Sequence, residues 1–228
     1  MEKNDSIMYI LIGIFAVLIL FNQLQISAIA AAANGGSTSF TAFSFSGGDD
    51  VSDVDISQIQ NTMQSYAALF PVDKIKTPED AVAILIPTGT PEYGASMGVS
   101  FDDPIGSLAK LANAQPALLA GLTPEQKTRF LNLALKPVGL SCEYCCGVGP
   151  VGIRKDGSSA CGCQHNPAIL SVTMWLMQNT DYSDAQILKE ALRWKALFFP
   201  QKVVGEVVKI AGGDASALNQ LPGMVGGC

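Results

Sequence analysis

The stretch Ser183-Asp184-Ala185-Gln186-Ile187-Leu188-Lys189-Glu190-Ala191-Leu192-Arg193-Trp194-Lys195-Ala196-Leu197-Phe198 decides the fold class. Ser183 can accept a hydrogen bond from the third residue of a helix and Gln186 can return one, the reciprocal arrangement of a capping box. Ile187, Leu188, Ala191, Leu192 and Phe198 recur at helical spacing as one apolar stripe, while Asp184, Lys189, Glu190 and Arg193 take the wet side.

The same punctuation recurs to either side. Thr77-Pro78-Glu79-Asp80, Asp103-Pro104, Thr123-Pro124-Glu125 and Asn166-Pro167 each set a side-chain acceptor before a proline. In the first turn of a helix the proline's missing N–H would be unsatisfied in any case. The pattern predicts helices at about 57–69, 77–86, 104–113, 124–135, 167–179, 183–197 and 201–211, hence a mainly α fold. Little sheet is expected, because no stretch alternates convincingly with period two. Residues 87–100, interrupted by Pro, Gly and Ser, read as a loop.

Composition excludes other classes. The 228 residues are 48% hydrophobic and 15% charged, enough apolar content for a core and too little charge for a coiled coil or disordered tail. A net charge of -6, with no Lys/Arg-rich run, speaks against nucleic-acid binding, which needs a basic patch.

The charge is unevenly spread. Between Asp5 and Asp49 there is no Asp, Glu, Lys or Arg, and Ile7 to Phe21 is an unbroken apolar run. Continued through Leu24, Ile26 and the alanines to Ala33, the helical pattern is long enough to span a membrane. A cleaved secretory signal with Ala28-Ile29-Ala30 as its processing site is the competing reading. Either places the bulk of the chain outside the cytoplasm, single-pass or secreted, because the acidic stretch follows the helix and the only early Lys precedes it. The expected organisation is an anchor or signal at 1–33, a flexible acidic linker at 34–56, a helical domain at 57–211 and a loose tail at 212–228.

The chemistry concentrates between residues 142 and 165. Ser141-Cys142-Glu143-Tyr144-Cys145-Cys146-Gly147 and Cys161-Gly162-Cys163-Gln164-His165-Asn166-Pro167 hold five of the six cysteines and the one histidine. Cys142-x-x-Cys145 has knuckle spacing, and Cys161-x-Cys163-x-His165 supplies three alternating donors entering a helix. With Asn166 as cap, the positive end of that helix would favour thiolate at Cys163. The candidate metal ligands are Cys142, Cys145, Cys146, Cys161, Cys163 and His165, in a set that spacing does not choose. Zn(II) or Cu(I) suits such donors, and an Fe–S cluster stays open. Two rivals use the same residues: structural disulfides in an oxidising compartment, and a redox-active dithiol.

Met174 and Met177, at i, i+3 on the following helix, are expected in the core rather than on copper, and Trp175 and Trp194 are expected as core or interface anchors. Asp49, Asp50, Asp53 and Asp55 have a calcium-loop composition without its ligand spacing. No phosphate loop, GxSxG elbow or HExxH occurs, and a Ser-His-Asp triad would have only His165 to use, so hydrolase chemistry is not expected. Cys228, at the far end, has no assigned role.

The CxxCCG and CGCxHN elements, followed by a helix and a second helix ending Arg193-Trp194-Lys195-Ala196-Leu197-Phe198-Phe199-Pro200, resemble those of uncharacterised membrane-anchored Cys-rich proteins of archaea and candidate bacterial lineages. A looser similarity links Tyr144-Cys145 and Cys161-Gly162-Cys163 to the PCYCGC-motif lipoproteins, thought of as metal-binding. The resemblance spans about Cys142 to Pro200, with no lipobox cysteine after the apolar segment. It implies metal binding and no reaction. The expectation is therefore a membrane-anchored, extracytoplasmic metal-binding protein, with a thiol–disulfide redox protein or a disulfide-stapled interaction module as alternatives.

Overall fold

The sites where acceptor and proline meet are where the backbone turns into helix. The computed structural model describes residues 50–144, 147, 149–212 and 221–226. Among these it forms eight α-helices: α1 (Thr62–Leu69), α2 (Pro78–Leu85), α3 (Gly94–Met97), α4 (Pro104–Gly121), α5 (Pro124–Ala134), α6 (His165–Asn179), α7 (Asp184–Phe198) and α8 (Pro200–Ile210). The expected anchor or signal, residues 1–33, lies outside the described residues, as do Cys145, Cys146 and Cys228. Among the described residues no helix is long and apolar enough to cross a membrane.

Reciprocal capping boxes close the starts of α2 (Thr77 with Asp80), α5 (Thr123 with Gln126) and α7 (Ser183 with Gln186), and Asp103 caps α4 through the Gly106 amide. Each such cap is worth about 1 kcal/mol. Hydrogen bonds from the Lys76 and Thr77 amides hold the Asp80 carboxyl below the ordinary carboxylate range.

The middle of the fold is α6, apolar on nearly every side. Ala168, Ile169, Leu170, Val172, Met174, Leu176 and Met177 are all buried, the pattern of a helix enclosed by others. Helix α4 runs along it, and α5 and α7 pack against it in turn. Tyr66 of α1 donates from its hydroxyl to the Leu192 carbonyl of α7 at 2.9 Å, tying the periphery to the centre. Met174, Met177 and Trp194 are thus core residues, as expected.

Several expectations need adjusting. Helix α1 starts five residues later than 57, because Asn61 caps it through the Gln64 amide at 2.9 Å. The 87–100 loop contains the single turn α3. Helix α4 continues through Pro116 to Gly121, since packing against α6 outweighs the lost N–H; Gln178 Nε2 of α6 donates to the Leu118 carbonyl at 2.9 Å. The described end of the acidic linker is packed: Val51 and Ile56 are buried, and Asp50 and Asp55 accept from the Ser52 and Ser57 amides two residues on. Those carboxylates close turns of their own backbone. Residues 221–226 of the expected loose tail are docked, with the Val225 amide donating to the Phe198 carbonyl at 2.8 Å.

Candidate metal centre

Between α5 and α6 the chain makes a long excursion whose two cysteine-bearing ends return to the same place. A small hairpin accounts for the return. Ile153 and Ser159 form an antiparallel bridge, and the Gly157 amide donates to the Arg154 carbonyl at 2.9 Å with φ of 94° at Gly157, a left-handed turn position that favours glycine. The Ala160 amide reaches the Gly152 carbonyl at 2.8 Å, bringing the 161–163 end back over the 142 end.

Asn166 locks that arrangement, and here the sequence reading is corrected. Helix α6 begins at His165 after Gln164, which makes no side-chain cap, so Asn166 lies inside the first turn. Its fully buried side chain points across the loop. Oδ1 accepts from the Cys142 amide at 3.0 Å, while Nδ2 donates to the Gly152 carbonyl at 2.6 Å and to Ser159 Oγ at 2.7 Å. Ser141 Oγ accepts from the Gly152 amide at 2.7 Å. Gly152 must be glycine, because a Cβ there would come within 2.9 Å of Asn166 Oδ1.

The result is a buried group of three donors. One ligand atom each from Cys142, Cys163 and His165 lies within 4.8 Å of the other two, close enough for all three to hold one metal ion. Cys142 and Cys163 carry thiols. The His165 ring is wedged between Phe198 and Phe199, with centroids 5.6 and 4.7 Å away, and its Nε2 lies 2.9 Å from the Val225 carbonyl oxygen. A carbonyl only accepts, so Nε2 is the donor in that contact, and Nδ1 is the ring nitrogen that could serve an ion. A backbone carbonyl on the far nitrogen is the usual means of orienting a ligating histidine.

The six-ligand expectation separates into three cases. Cys142, Cys163 and His165 come within reach of one another. Cys161 departs from the set: it is disulfide-bonded, and such a sulfur has no thiolate to offer an ion, although it lies 3.2 Å from Cys163 Sγ. Cys145 and Cys146 are outside the described residues.

One neighbour went unrecognised in the sequence. Lys195 is fully buried with its Nζ 3.4 Å from Glu143 Oε1 and 5.7 Å from the centroid of the Tyr144 ring. Burial pushes its pKa down, opposed by Glu143 and, more weakly, by Cys142 and Glu206. Tyr144, whose hydroxyl donates to Glu206 Oε2 at 3.3 Å, is driven well above the ordinary tyrosine value by burial and then by the charges of Glu143 and Glu206. Lys195 and the Tyr144 phenol thus both stand against Glu143 or its neighbour, next in sequence to Cys142. The signal was present: Lys195 follows Leu188 by seven positions and Ala191 by four, which puts it on the apolar stripe.

No family model, curated protein or solved structure matches this chain.

Proposed function

We propose that the chain is a metal-binding protein whose ion is held by Cys142, Cys163 and His165 Nδ1. The observation that carries the reading is the convergence of two thiols and a ring nitrogen within 4.8 Å in a buried place. Two features support it beyond proximity. The Val225 carbonyl orients the imidazole from its far nitrogen, and the start of α6 sets the positive end of a helix dipole beside Cys163.

Charge favours Zn(II) over Cu(I) here. Two thiolates and a neutral imidazole neutralise a divalent ion and leave a monovalent one with a net negative charge, which is costly in a buried place. Lys195 and Glu143 cancel each other beside it. The biological role follows as metal handling or a structural ion, in a domain held by the 1–33 segment at the outer face of a membrane.

Metal analysis of full-length protein purified anaerobically tests the reading. One equivalent of zinc is expected, reduced to a trace in Cys142→Ala and Cys163→Ala proteins that retain parental helicity. Metal-poor protein that also fails to take up added Zn2+ would refute it.

A further inference from the structure

The two ends of α6 differ in chemistry. Its start carries His165 beside the thiols, and its last turn, about 20 Å along the axis at ~1.5 Å per residue, opens on a recess of about 350 Å3. Trp175 and Asn179 line the recess from that end, Glu92 and Tyr93 from the 87–100 loop, and Tyr182 from the link to α7.

Trp175 is the first reason to read the recess as a binding site. Every Ala, Ile, Leu, Val and Met of α6 is buried, yet its largest apolar side chain is only half-buried and faces this opening. Tyr93 adjoins it with ring centroids 5.9 Å apart and planes at 38°, so the rings form two walls at an angle rather than a stack. The Tyr93 wall is fixed from behind, because its hydroxyl accepts from Trp194 Nε1 at 2.6 Å and donates to Glu190 Oε2 at 3.0 Å. Such a wall needs no ordering when a ligand arrives.

The second reason is that the charge of the recess has one sign. Among the described residues that line it, Glu92 alone is ionised, and the Tyr182 hydroxyl donates to Glu92 Oε2 at 3.3 Å, which joins carboxylate and phenol at the rim. The last turn of α6 has no basic residue, so the partial negative charge of its terminal carbonyls is not offset there. Arg193, close enough to act on Tyr182, is itself paired with Glu190 at 2.6 Å. Aromatic faces add a further negative potential.

We infer that the recess binds a small organic cation of the alkylated ammonium class, with its charge toward Glu92 and the end of α6 and its alkyl groups on Trp175, Tyr93 and Tyr182. An anion would meet like charge from each of these groups. A hard metal ion takes about six oxygen ligands, and one carboxylate supplies too few. An alkylated ammonium holds water weakly and is the cation that aromatic faces favour. A sugar also stacks on tryptophan, but it draws nothing from an unbalanced carboxylate or a helix C-terminus. This site uses none of the residues of the proposed metal centre, and the two readings stand or fall separately.

Isothermal titration of the full chain with choline, with glucose, and with the uncharged alcohol in which carbon replaces choline's quaternary nitrogen tests the proposal. Choline is expected to bind, and the uncharged alcohol to bind about 2–30-fold more weakly, the range of a cation–π contact. Trp175→Leu is expected to weaken choline by a similar factor of about 2–30. Glu92→Gln, at an exposed position that the fold does not depend on, is expected to weaken it about 2–5-fold, so the test survives even if Trp175→Leu fails to fold. Failure of choline to bind, equal affinity for choline and the uncharged alcohol, or tighter binding of glucose each overturns the proposal. So does a choline affinity that Glu92→Gln and a folded Trp175→Leu both leave unchanged.

Discussion

Replacing Asn166 by alanine is the sharpest test of how the centre is built. The side chain makes three hydrogen bonds from a fully buried position, and their loss is unequal. Gly152's carbonyl keeps the Ala160 amide, and Ser159 Oγ keeps its bonds with Cys161, so each of those losses costs about 0.5–1.5 kcal/mol. The buried Cys142 amide loses its bond to Asn166 Oδ1, and a buried donor deprived of an acceptor costs about 1–3 kcal/mol. The expected destabilisation is therefore about 2–6 kcal/mol by urea denaturation of metal-free protein. Because Asn166 fixes the backbone of Cys142, zinc affinity measured by chelator competition is expected to fall about 10–100-fold, the usual effect of losing an outer-shell support. Asn166→Asp restores the acceptor for the Cys142 amide while setting a carboxylate oxygen against the Gly152 carbonyl, and is expected to recover neither quantity. A loss below about 0.5 kcal/mol together with parental zinc affinity would refute the role given to Asn166.

Further outcomes follow from the same structure. Zn2+ at about 100 times its Kd should raise the unfolding free energy by about 2.7 kcal/mol, and His165→Gln should erase that increment while Met174→Leu keeps it; an increment that survives His165→Gln counts against the ligand set. Lys195→Met leaves Glu143 at 19% side-chain exposure without its partner, and should cost near the low end of about 3–5 kcal/mol, most of it recovered in the Lys195→Met/Glu143→Gln double variant. Urea denaturation of all four members of that cycle checks it. Tyr93 accepts from Trp194 Nε1 at 2.6 Å and donates to Glu190 Oε2 at 3.0 Å, so Tyr93→Phe strands a buried indole N–H and should cost about 1–3 kcal/mol in the same assay. The Asp80 carboxyl sits below its ordinary value because backbone amides bind its charged form, so the folded state holds fewer protons than the unfolded chain in acid. Its stabilisation is complete above the unfolded value and is lost as pH falls through the folded one. Asp80→Asn should then lie below the parent in stability near neutrality, with the gap starting to close below about pH 4 and vanishing only once the pH is under the folded value; a gap constant with pH would show the charge to be irrelevant.

Helix starts were legible because a cap is a local device. Thr77, Asp103, Thr123 and Ser183 each bond to an amide three residues on, and nothing distant decides them. Asn166 was misread for the converse reason. An Asn-Pro pair is a good local cap, but its amide is worth more satisfying three groups of a returning loop, and that loop is invisible in a linear pattern. Cysteine spacing marked the stretch without singling out Cys142, Cys163 and His165, since which donors come together depends on where the hairpin at 153–159 folds back. The partner that sets the His165 tautomer is 60 positions away, beyond any motif. Lys195 could have been found: a lysine on an apolar stripe announces either a buried pair or a mistaken stripe, and Glu143 shows which.

Phe199 is the joint between α7 and α8, and its ring lies between those of Tyr144 and His165, with centroids at 5.3 and 4.7 Å. Its neighbour Phe198 touches both the imidazole and the buried indole of Trp194, at 5.6 and 5.5 Å. The centre is thus wired to a native fluorophore through a single phenyl ring. A shift of the imidazole on binding an ion at the proposed centre is therefore expected to pass through the Phe198 ring to Trp194 and to change its emission.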